Sequence, residues 1–188
     1  MTWPAPRLAP PDPATYDTHQ QQIAEAIASG PRGSVRGPLA IWLHRPGLAG
    51  TAQALGEYCR YGTSLGPRLS ELAILVTGRV FGSEYEWFAH KTHALNAGLP
   101  AATIEAIRQN RTPAFETEEE AVVHDVARAA HGGRTIDDAL YARAVEVLGT
   151  DRLVDLVGLL GYYTLISLTI NIFGVTPPDD AAPELSDV

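Results

Sequence analysis

Apolar residues recur along this chain at spacings of three and four, which predicts a series of helices. Proline, glycine, serine and threonine stand where this pattern starts or stops, and they set the predicted bounds. No segment alternates between apolar and polar residues, and no Asn-Gly or Asp-Gly hairpin signal occurs. The sequence therefore predicts an all-α fold, a helical bundle of about seven or eight helices. The expected helices span about 14–28, 46–61, 70–81, 83–97, 101–109, 117–131, 135–148 and 151–173, and a short apolar segment follows Pro38.

The composition divides the chain into three parts. Residues 1–13 are rich in proline and predict an extended arm. Residues 14–175 carry the helical pattern and fit a single domain, as expected for 188 residues and 20.2 kDa. Residues 176–188 are acidic and contain proline, so a disordered tail is predicted.

Two of the predicted helices are more apolar than one small domain requires. Residues 156–173 contain no charge, which approaches the length of a membrane span. Glycine, tyrosine, serine, threonine and asparagine interrupt this run, and its flanks are acidic rather than basic. We therefore expect a core helix or a subunit contact instead of a membrane span. Together with the apolar helix 70–81, this predicts a homo-oligomer.

Charge and cysteine content narrow the function. The formal net charge is -8, and without a Lys/Arg cluster the chain is not expected to bind nucleic acid. Lys91 is the only lysine, so a Schiff base would have to form there. Cys59 is the only cysteine, which excludes an intrachain disulfide and any Cys-x-x-Cys motif. The N-terminus lacks the apolar segment of a secretory signal, so a cytoplasmic protein is expected.

Glu86, His90 and His93 carry the most informative spacing, because i, i+4 and i+7 lie on one face of a helix. Such a group can transfer protons to and from a small molecule. Alternatives remain open: Glu86 can cap the helix through Ser83-x-x-Glu86, and each histidine can be a structural or surface residue. The three side chains also resemble a metal face, but the spacing is not an established metal signature, and no metal is predicted.

Glu71 stands at the start of an almost uniformly apolar helix. Its carboxylate can simply interact favourably with the helix dipole near the N-terminus, or it can be desolvated, with its pKa raised towards neutrality. If helices 70–81 and 83–97 pack as a hairpin across Gly82, then Glu71, Glu86 and His90 come together. Two neighbouring carboxylates do not both ionise readily, so one of them is expected to hold a proton.

These residues also carry a family resemblance. Arg68-x-x-Glu71-Leu72-Ala73-Ile74-Leu75, then Glu84-Tyr85-Glu86-Trp87-x-x-His90, then Ala97-Gly98-Leu99 resembles the carboxymuconolactone decarboxylase family, within the alkyl hydroperoxidase D-like superfamily. The resemblance is densest over residues 66–110. It implies an all-helical subunit that assembles into trimers or hexamers, with a site where the motif helix meets its neighbours.

The peroxidase branch of that superfamily carries Cys-x-x-Cys-x3-His after an upstream glutamate. Counted back from His90, the two cysteines would fall on Ser83 and Glu86, and the glutamate on Glu71. Because both thiols are absent, dithiol peroxide reduction is not expected. The remaining residues match the decarboxylase-like, thiol-less branch.

The leading hypothesis is a cofactor-independent lyase, decarboxylase or isomerase that acts on a small carboxylated, lactone or keto-acid substrate. His90 would move the proton, Glu86 would be its partner, and Glu71 would tune the pair. The alternatives are a non-catalytic oligomeric binding protein and a residual peroxidase-like activity through Cys59 or a bound metal. Candidates to line the substrate pocket are Tyr85, Trp87, His44, Tyr58 and His93. Candidates to bind the substrate's negative charge are Arg60, Arg68 and Arg79.

Overall fold

The computed structural model describes Trp3 and residues 5–178 and 181–185. Over these residues the chain forms eight α-helices and no strand, so the predicted all-α class is confirmed. A 3₁₀ turn at Pro13–Thr15 precedes the first helix, and a π-helical turn at Tyr58–Gly62 follows the third. The helices are α1 (Thr18–Ser29), α2 (Pro38–Trp42), α3 (Pro46–Glu57), α4 (Gly66–Phe81), α5 (Glu84–Asn96), α6 (Ala101–Arg108), α7 (Glu118–Gly133) and α8 (Asp138–Phe173).

Helix α4 is the centre of the fold, because it packs against α5, α7 and α8. Its residues from Leu72 to Val76 are almost inaccessible to solvent. Pro67 lies in its first turn, where a missing N–H costs nothing, so α4 begins at Gly66 and not at the predicted residue 70. This earlier start places Glu71 in the second turn of α4, inside the molecule.

Helix α8 combines two predicted helices that meet at Gly149. Gly149 has φ 78° and ψ 164°, a conformation that only glycine adopts readily, so residues 138–148 and 150–173 meet at a kink. Among the described residues, α8 is the one helix long and apolar enough to cross a membrane. Its most apolar stretch is 61% buried within the molecule, as expected for the core helix of a soluble-type domain.

Both ends of the described chain lie against the helical domain. The Arg7 amide donates to the Phe173 carbonyl (2.9 Å), and the Glu184 and Leu185 amides donate to the Glu84 carboxylate (3.0 and 2.8 Å). The Glu184 carboxylate in turn accepts from Lys91 (2.6 Å). Residues 181–185 of the expected tail are thus packed on α5. The division into arm, domain and tail remains a prediction, and its ends lie outside the described residues.

Candidate active site

The hairpin of α4 and α5 brings the three predicted catalytic side chains together. Gly82 closes it in the left-handed conformation (φ 59°), and its amide donates to the Arg79 carbonyl (3.2 Å). In this hairpin the Glu71 carboxylate faces the His90 ring across the two helices. Glu71, Glu86 and His90 are all buried, with at most 6% of each residue exposed.

His90 lies between the two carboxylates. Its Nδ1 is 2.6 Å from Glu71 Oε2 in a hydrogen bond, and its Nε2 is 3.2 Å from Glu86 Oε2. The second pair is close but poorly aligned, so Glu86 Oε2 has no hydrogen-bond partner among the described residues. A buried carboxylate oxygen without a donor is costly, and it is the kind of group that a bound ligand satisfies.

The capping interpretation of Glu86 does not hold. Ser83 is the N-cap of α5 by backbone position, but its side chain makes no capping hydrogen bond. The Ser83 amide donates instead to the Gly78 carbonyl (2.8 Å), so it is unavailable to Glu86. Glu86 is therefore held beside His90 and not at the helix end.

The pKa directions follow from this geometry. Burial alone would lower the pKa of His90, but the Glu86 and Glu71 carboxylates outweigh it and raise that pKa. Burial would raise the pKa of Glu71, but the hydrogen bond and charge of His90, with the charge of Arg60, lower it. Of the two interpretations of Glu71, the one with a raised pKa is wrong, because the cationic neighbours of Glu71 outweigh desolvation. An ionised Glu71 only accepts hydrogen bonds, so His90 Nδ1 carries the proton in that bond.

A cavity of about 640 Å³ lies beside His90, within the size range of small-molecule sites. Glu86, His90 and His93 line one wall, from α5. Three arginines line other parts of it: Arg32 and Arg36 from the loop between α1 and α2, and Arg60 from the π-helical turn. Arg60 also approaches Glu71, with 3.9 Å between Nη2 and Oε1, so the cationic side of the cavity begins next to the catalytic group. The cavity can therefore hold an anion close to His90.

Aromatic side chains complete the walls. The Tyr163 ring meets the His90 ring edge-on with centroids 5.2 Å apart, and burial raises the pKa of Tyr163 well above its usual range. The Tyr162 hydroxyl accepts from Arg32 Nη2 at 3.4 Å. Tyr85 lies against Gly37, where a Cβ atom would come within 2.5 Å of its ring. The pKa of each of these three tyrosines is raised, so the tyrosines that line the cavity are neutral at physiological pH.

Two of the five predicted pocket residues, Tyr85 and His93, line the cavity. The other three lie elsewhere. Trp87 is buried in the core and its indole N–H donates to Glu184 (3.2 Å). His44 is exposed, with Nε2 2.8 Å from the Ala9 carbonyl, and the exposed Tyr58 donates to Asp155 (2.6 Å).

Of the three arginines considered for the substrate charge, the structure places Arg60 on the cavity wall. Arg68 pairs with Glu116 and Glu120, and Arg79 donates to the Arg108 carbonyl (2.7 Å). Their guanidinium groups thus serve other contacts, away from this cavity.

Sequence reasoning missed Arg32, Arg36, Tyr162 and Tyr163. The two arginines lie in a loop without periodicity, where no pattern indicates which way a side chain points. Tyr162 and Tyr163 are hydroxyl-bearing residues in an otherwise apolar helix, and that interruption was the available signal.

The described residues contain no group of three or more His, Cys, Asp or Glu side chains arranged to hold a metal ion. Both ring nitrogens of His90 face carboxylates, and His93 lies to one side with its ring centroid 5.8 Å away. The absence of a metal or cofactor remains a prediction.

Cys59 is buried in the π-helical turn and does not line the cavity, although its neighbours Arg60 and Tyr61 do. Burial and the nearby Asp155 raise the pKa of its thiol. A thiol of this kind is a poor nucleophile at neutral pH.

Comparison with known proteins agrees with the resemblance. The model of the carboxymuconolactone decarboxylase family matches residues 46–129, which include Glu71, Glu86 and His90. No curated protein has a sequence that matches this chain significantly. The resemblance to this family, inferred from the sequence, is confirmed.

Solved structures share the fold over nearly the whole chain. One is the alkylhydroperoxidase AhpD core of an uncharacterized peroxidase-related protein from Ralstonia eutropha JMP134, with a TM-score of 0.75, 15% identity and 94% of both chains covered. Another is an uncharacterized peroxidase-related protein from Silicibacter sp. TM1040, with a TM-score of 0.74, 14% identity, and 99% of this chain and 98% of the other covered. At these identities the likeness establishes the alkyl hydroperoxidase D-like fold.

Proposed function

We propose that this chain is a carboxymuconolactone decarboxylase-like, cofactor-independent acid/base enzyme, a decarboxylase, lyase or isomerase, that acts on a small carboxylated, lactone or keto-acid substrate. The observation that carries this proposal is His90, held between Glu71 and Glu86 on the wall of a cavity with three arginines. The match of residues 46–129 to the family supports the same chemistry.

Each residue has a distinct part in this mechanism. Glu71 accepts a hydrogen bond from His90 Nδ1–H, which fixes the ring orientation and leaves Nε2 as the atom that exchanges a proton with the substrate. Arg60, with Arg32 or Arg36, binds the substrate carboxylate that does not react. Glu86 lies next to Nε2 and passes or holds the proton between steps.

For a decarboxylation, the bond between the carboxyl carbon and its neighbour breaks and the electron pair moves into the adjacent carbonyl, giving an enolate and CO2. The His90 imidazolium then delivers its Nε2 proton to the enolate carbon, and one proton from solvent restores the ring. The raised pKa of His90 favours this starting state, because the ring holds its proton to a higher pH than an exposed histidine does.

The two alternatives receive less support. Peroxide reduction would require the buried Cys59 to act without a second thiol and outside the cavity lining. A purely structural role for His90 does not account for its place on a large cavity with an unpaired carboxylate oxygen beside it.

The experiment compares His90→Gln with the exposed control His44→Gln on a panel of carboxylated lactones and keto acids, with CO2 release and substrate absorbance as readouts. We expect His90→Gln to lose about 10²–10⁴-fold in kcat, the usual contribution of a general acid/base, while His44→Gln keeps full activity. Circular dichroism verifies that both variants are folded.

Wild-type protein that turns over no member of the panel, or an active His90→Gln variant, would contradict the proposal. A parallel Cys59→Ala variant tests the thiol alternative. Peroxide consumption that disappears with Cys59→Ala and survives His90→Gln would favour a peroxidase instead.

A further inference from the structure

A second cavity lies apart from the candidate active site and shares no lining residue with it. Its volume is about 40 Å³, and it is formed by α4, the end of α6, the turn after α6, and α7. The residues that line it are Val76, Arg79, Ile107, Asn110, Arg111, Thr112, His124 and Arg128.

The small cavity has an apolar floor and a basic rim. Val76, Ile107 and His124 are buried, whereas Asn110, Arg111, Thr112 and Arg128 are exposed. The described residues that line it include three arginines and no carboxylate, although the whole chain has a net charge of -8. A concave basic surface on an acidic protein concentrates field where a small anion can enter.

Two of the three guanidinium groups have no anionic partner in the part of the chain that is described. The side chains of Arg111 and Arg128 form no hydrogen bond or ion pair there, in contrast to those of Arg143 and Arg152, which pair with carboxylates at 2.7–2.8 Å. Arg79 is fixed at the wall because its Nε–H donates to the Arg108 carbonyl (2.7 Å). The cavity thus holds positive charge that the described protein does not neutralise.

The rim is held in place by backbone geometry. Asn110 adopts the left-handed conformation (φ 56°), which closes α6 in a C-terminal turn. In that turn the Asn110 and Arg111 amides donate to the Ile107 and Ala106 carbonyls (2.9 and 2.8 Å). The side chains of this turn, including the Thr112 hydroxyl and the Asn110 amide group, are therefore presented from a defined backbone.

We propose that this cavity binds a tetrahedral oxyanion, with a phosphate group as the best match. One water needs about 10–15 Å³ of such a space, so about 40 Å³ holds roughly three or four water-sized groups, which matches the oxygens of one phosphate group entering from the open side. Guanidinium, amide and hydroxyl donors around one point are the recognition set for phosphate oxygens. The phosphate is either free or the end of a phosphorylated metabolite. This inference does not depend on the acid/base chemistry proposed for His90.

His124 gives a local reporter. Burial lowers the pKa of His124, and the charge of Arg128 lowers this pKa further. Asp125 on the same helix raises it, with 3.3 Å between His124 Nδ1 and Asp125 Oδ1. Among the described residues that line this cavity, the other charged groups are Arg79 on α4 and Arg111 on the turn. A bound dianion adds negative charge beside the ring and raises the pKa of His124.

The experiment is equilibrium dialysis of the full chain against radiolabelled inorganic phosphate at constant ionic strength. We expect one phosphate per chain for the wild type and at least tenfold weaker binding for the Arg111→Gln/Arg128→Gln double variant. Arg45→Gln, which removes an exposed arginine outside both cavities, is the matched control and should bind as the wild type does.

Glycerol 3-phosphate is the second probe. Tighter binding than inorganic phosphate identifies a phosphorylated metabolite as the ligand, and equal binding identifies the free anion. In nuclear magnetic resonance titrations, phosphate should raise the pKa of His124 in the wild type and leave it unchanged in the double variant. Equal phosphate binding by all three proteins, or no wild-type binding at about 10 mM phosphate, roughly the weakest binding of interest, would overturn the proposal.

Discussion

At the scale of single residues, the titration of His90 tests the site most directly. The Glu86 and Glu71 carboxylates are what raise the pKa of His90 against the effect of burial. We expect Glu86→Gln to lower that pKa, because it removes the carboxylate 3.2 Å from Nε2 while keeping the side-chain size. Nuclear magnetic resonance of the imidazole gives the measurement. Glu25→Gln, an exposed glutamate on α1, should leave the pKa of His90 where it is.

The same pair of pKa shifts predicts how stability depends on pH. A histidine whose folded pKa is raised binds its proton more tightly in the folded state, so its contribution is complete below the unfolded pKa of about 6.5 and is lost as pH rises through the folded pKa. Glu71, with a lowered pKa, contributes above an unfolded pKa of about 4.3 and loses this as pH falls. In urea unfolding, the stability of the wild type relative to Glu86→Gln should decline as the pH rises above about 6.5, the unfolded pKa of histidine. Parallel profiles for the two proteins would contradict it.

Arg60 is the arginine next to the catalytic group, and its replacement tests the substrate charge. We expect Arg60→Gln to raise KM for a carboxylated substrate about 10- to 100-fold, since a charged hydrogen bond is worth about 1.5–3 kcal/mol. Arg45→Gln is again the control. An unchanged KM for Arg60→Gln would assign the substrate carboxylate to Arg32 or Arg36.

The sequence was sufficient for the residues of the site that share one helix. Glu86 and His90 are one turn apart, so their proximity follows from helix geometry alone. The Glu71 contact required the additional step of a hairpin across Gly82, which the glycine made predictable. The sequence does not decide whether the pKa of Glu71 is raised or lowered. The shift depends on the distances from Glu71 to His90 and Arg60, and spacing along the chain does not give those distances.

At the scale of helices, Gly149 controls the angle within α8. Its φ of 78° and ψ of 164° lie in a region that other residues avoid, while the space around it is open. We expect Gly149→Ala to lower the free energy of unfolding by about 1–3 kcal/mol through backbone strain alone. Gly132→Ala in α7, also in open space but with an ordinary helical backbone, should be neutral or stabilising by up to ~1 kcal/mol. Thermal unfolding compares the two, and equal effects would exclude the strain.

The helix bounds show which local signals the sequence provides. Helix α6 ends within one residue of the prediction, and the break in the last apolar run falls at Gly149 as expected. The sequence predicts ordinary helix over Tyr58–Gly62, where the structure has a π-helical turn, because one turn is too short to change the apolar spacing of the helix that it extends. That turn is what carries Arg60 to the cavity, so a small irregularity had a large effect on the site.

At the scale of the whole molecule, one surface remains unusually apolar. Val154, Val157, Leu165, Leu168 and Ile172 recur along one face of α8, each at least 37% exposed. Exposing such a stripe to water is unfavourable, and contiguous apolar surface of this kind usually marks a protein–protein interface. The described chain covers the opposite face of α8 with α4 and α7. The exposed face is therefore the surface through which we expect the trimer or hexamer to form, and the oligomeric state remains a prediction.

Leu168→Glu tests this surface, because it places a charge in the middle of the stripe. We expect light scattering to give the wild type a mass of three or six chains of 20.2 kDa each. The Leu168→Glu variant should dissociate and give a mass closer to that of one chain. Leu95→Glu on α5 is the control, since Leu95 is 44% exposed against 43% for Leu168 and lies on a different helix. A wild-type monomer would exclude the oligomer. Dissociation by Leu95→Glu alone would move the interface to α5, close to the wall that carries His90.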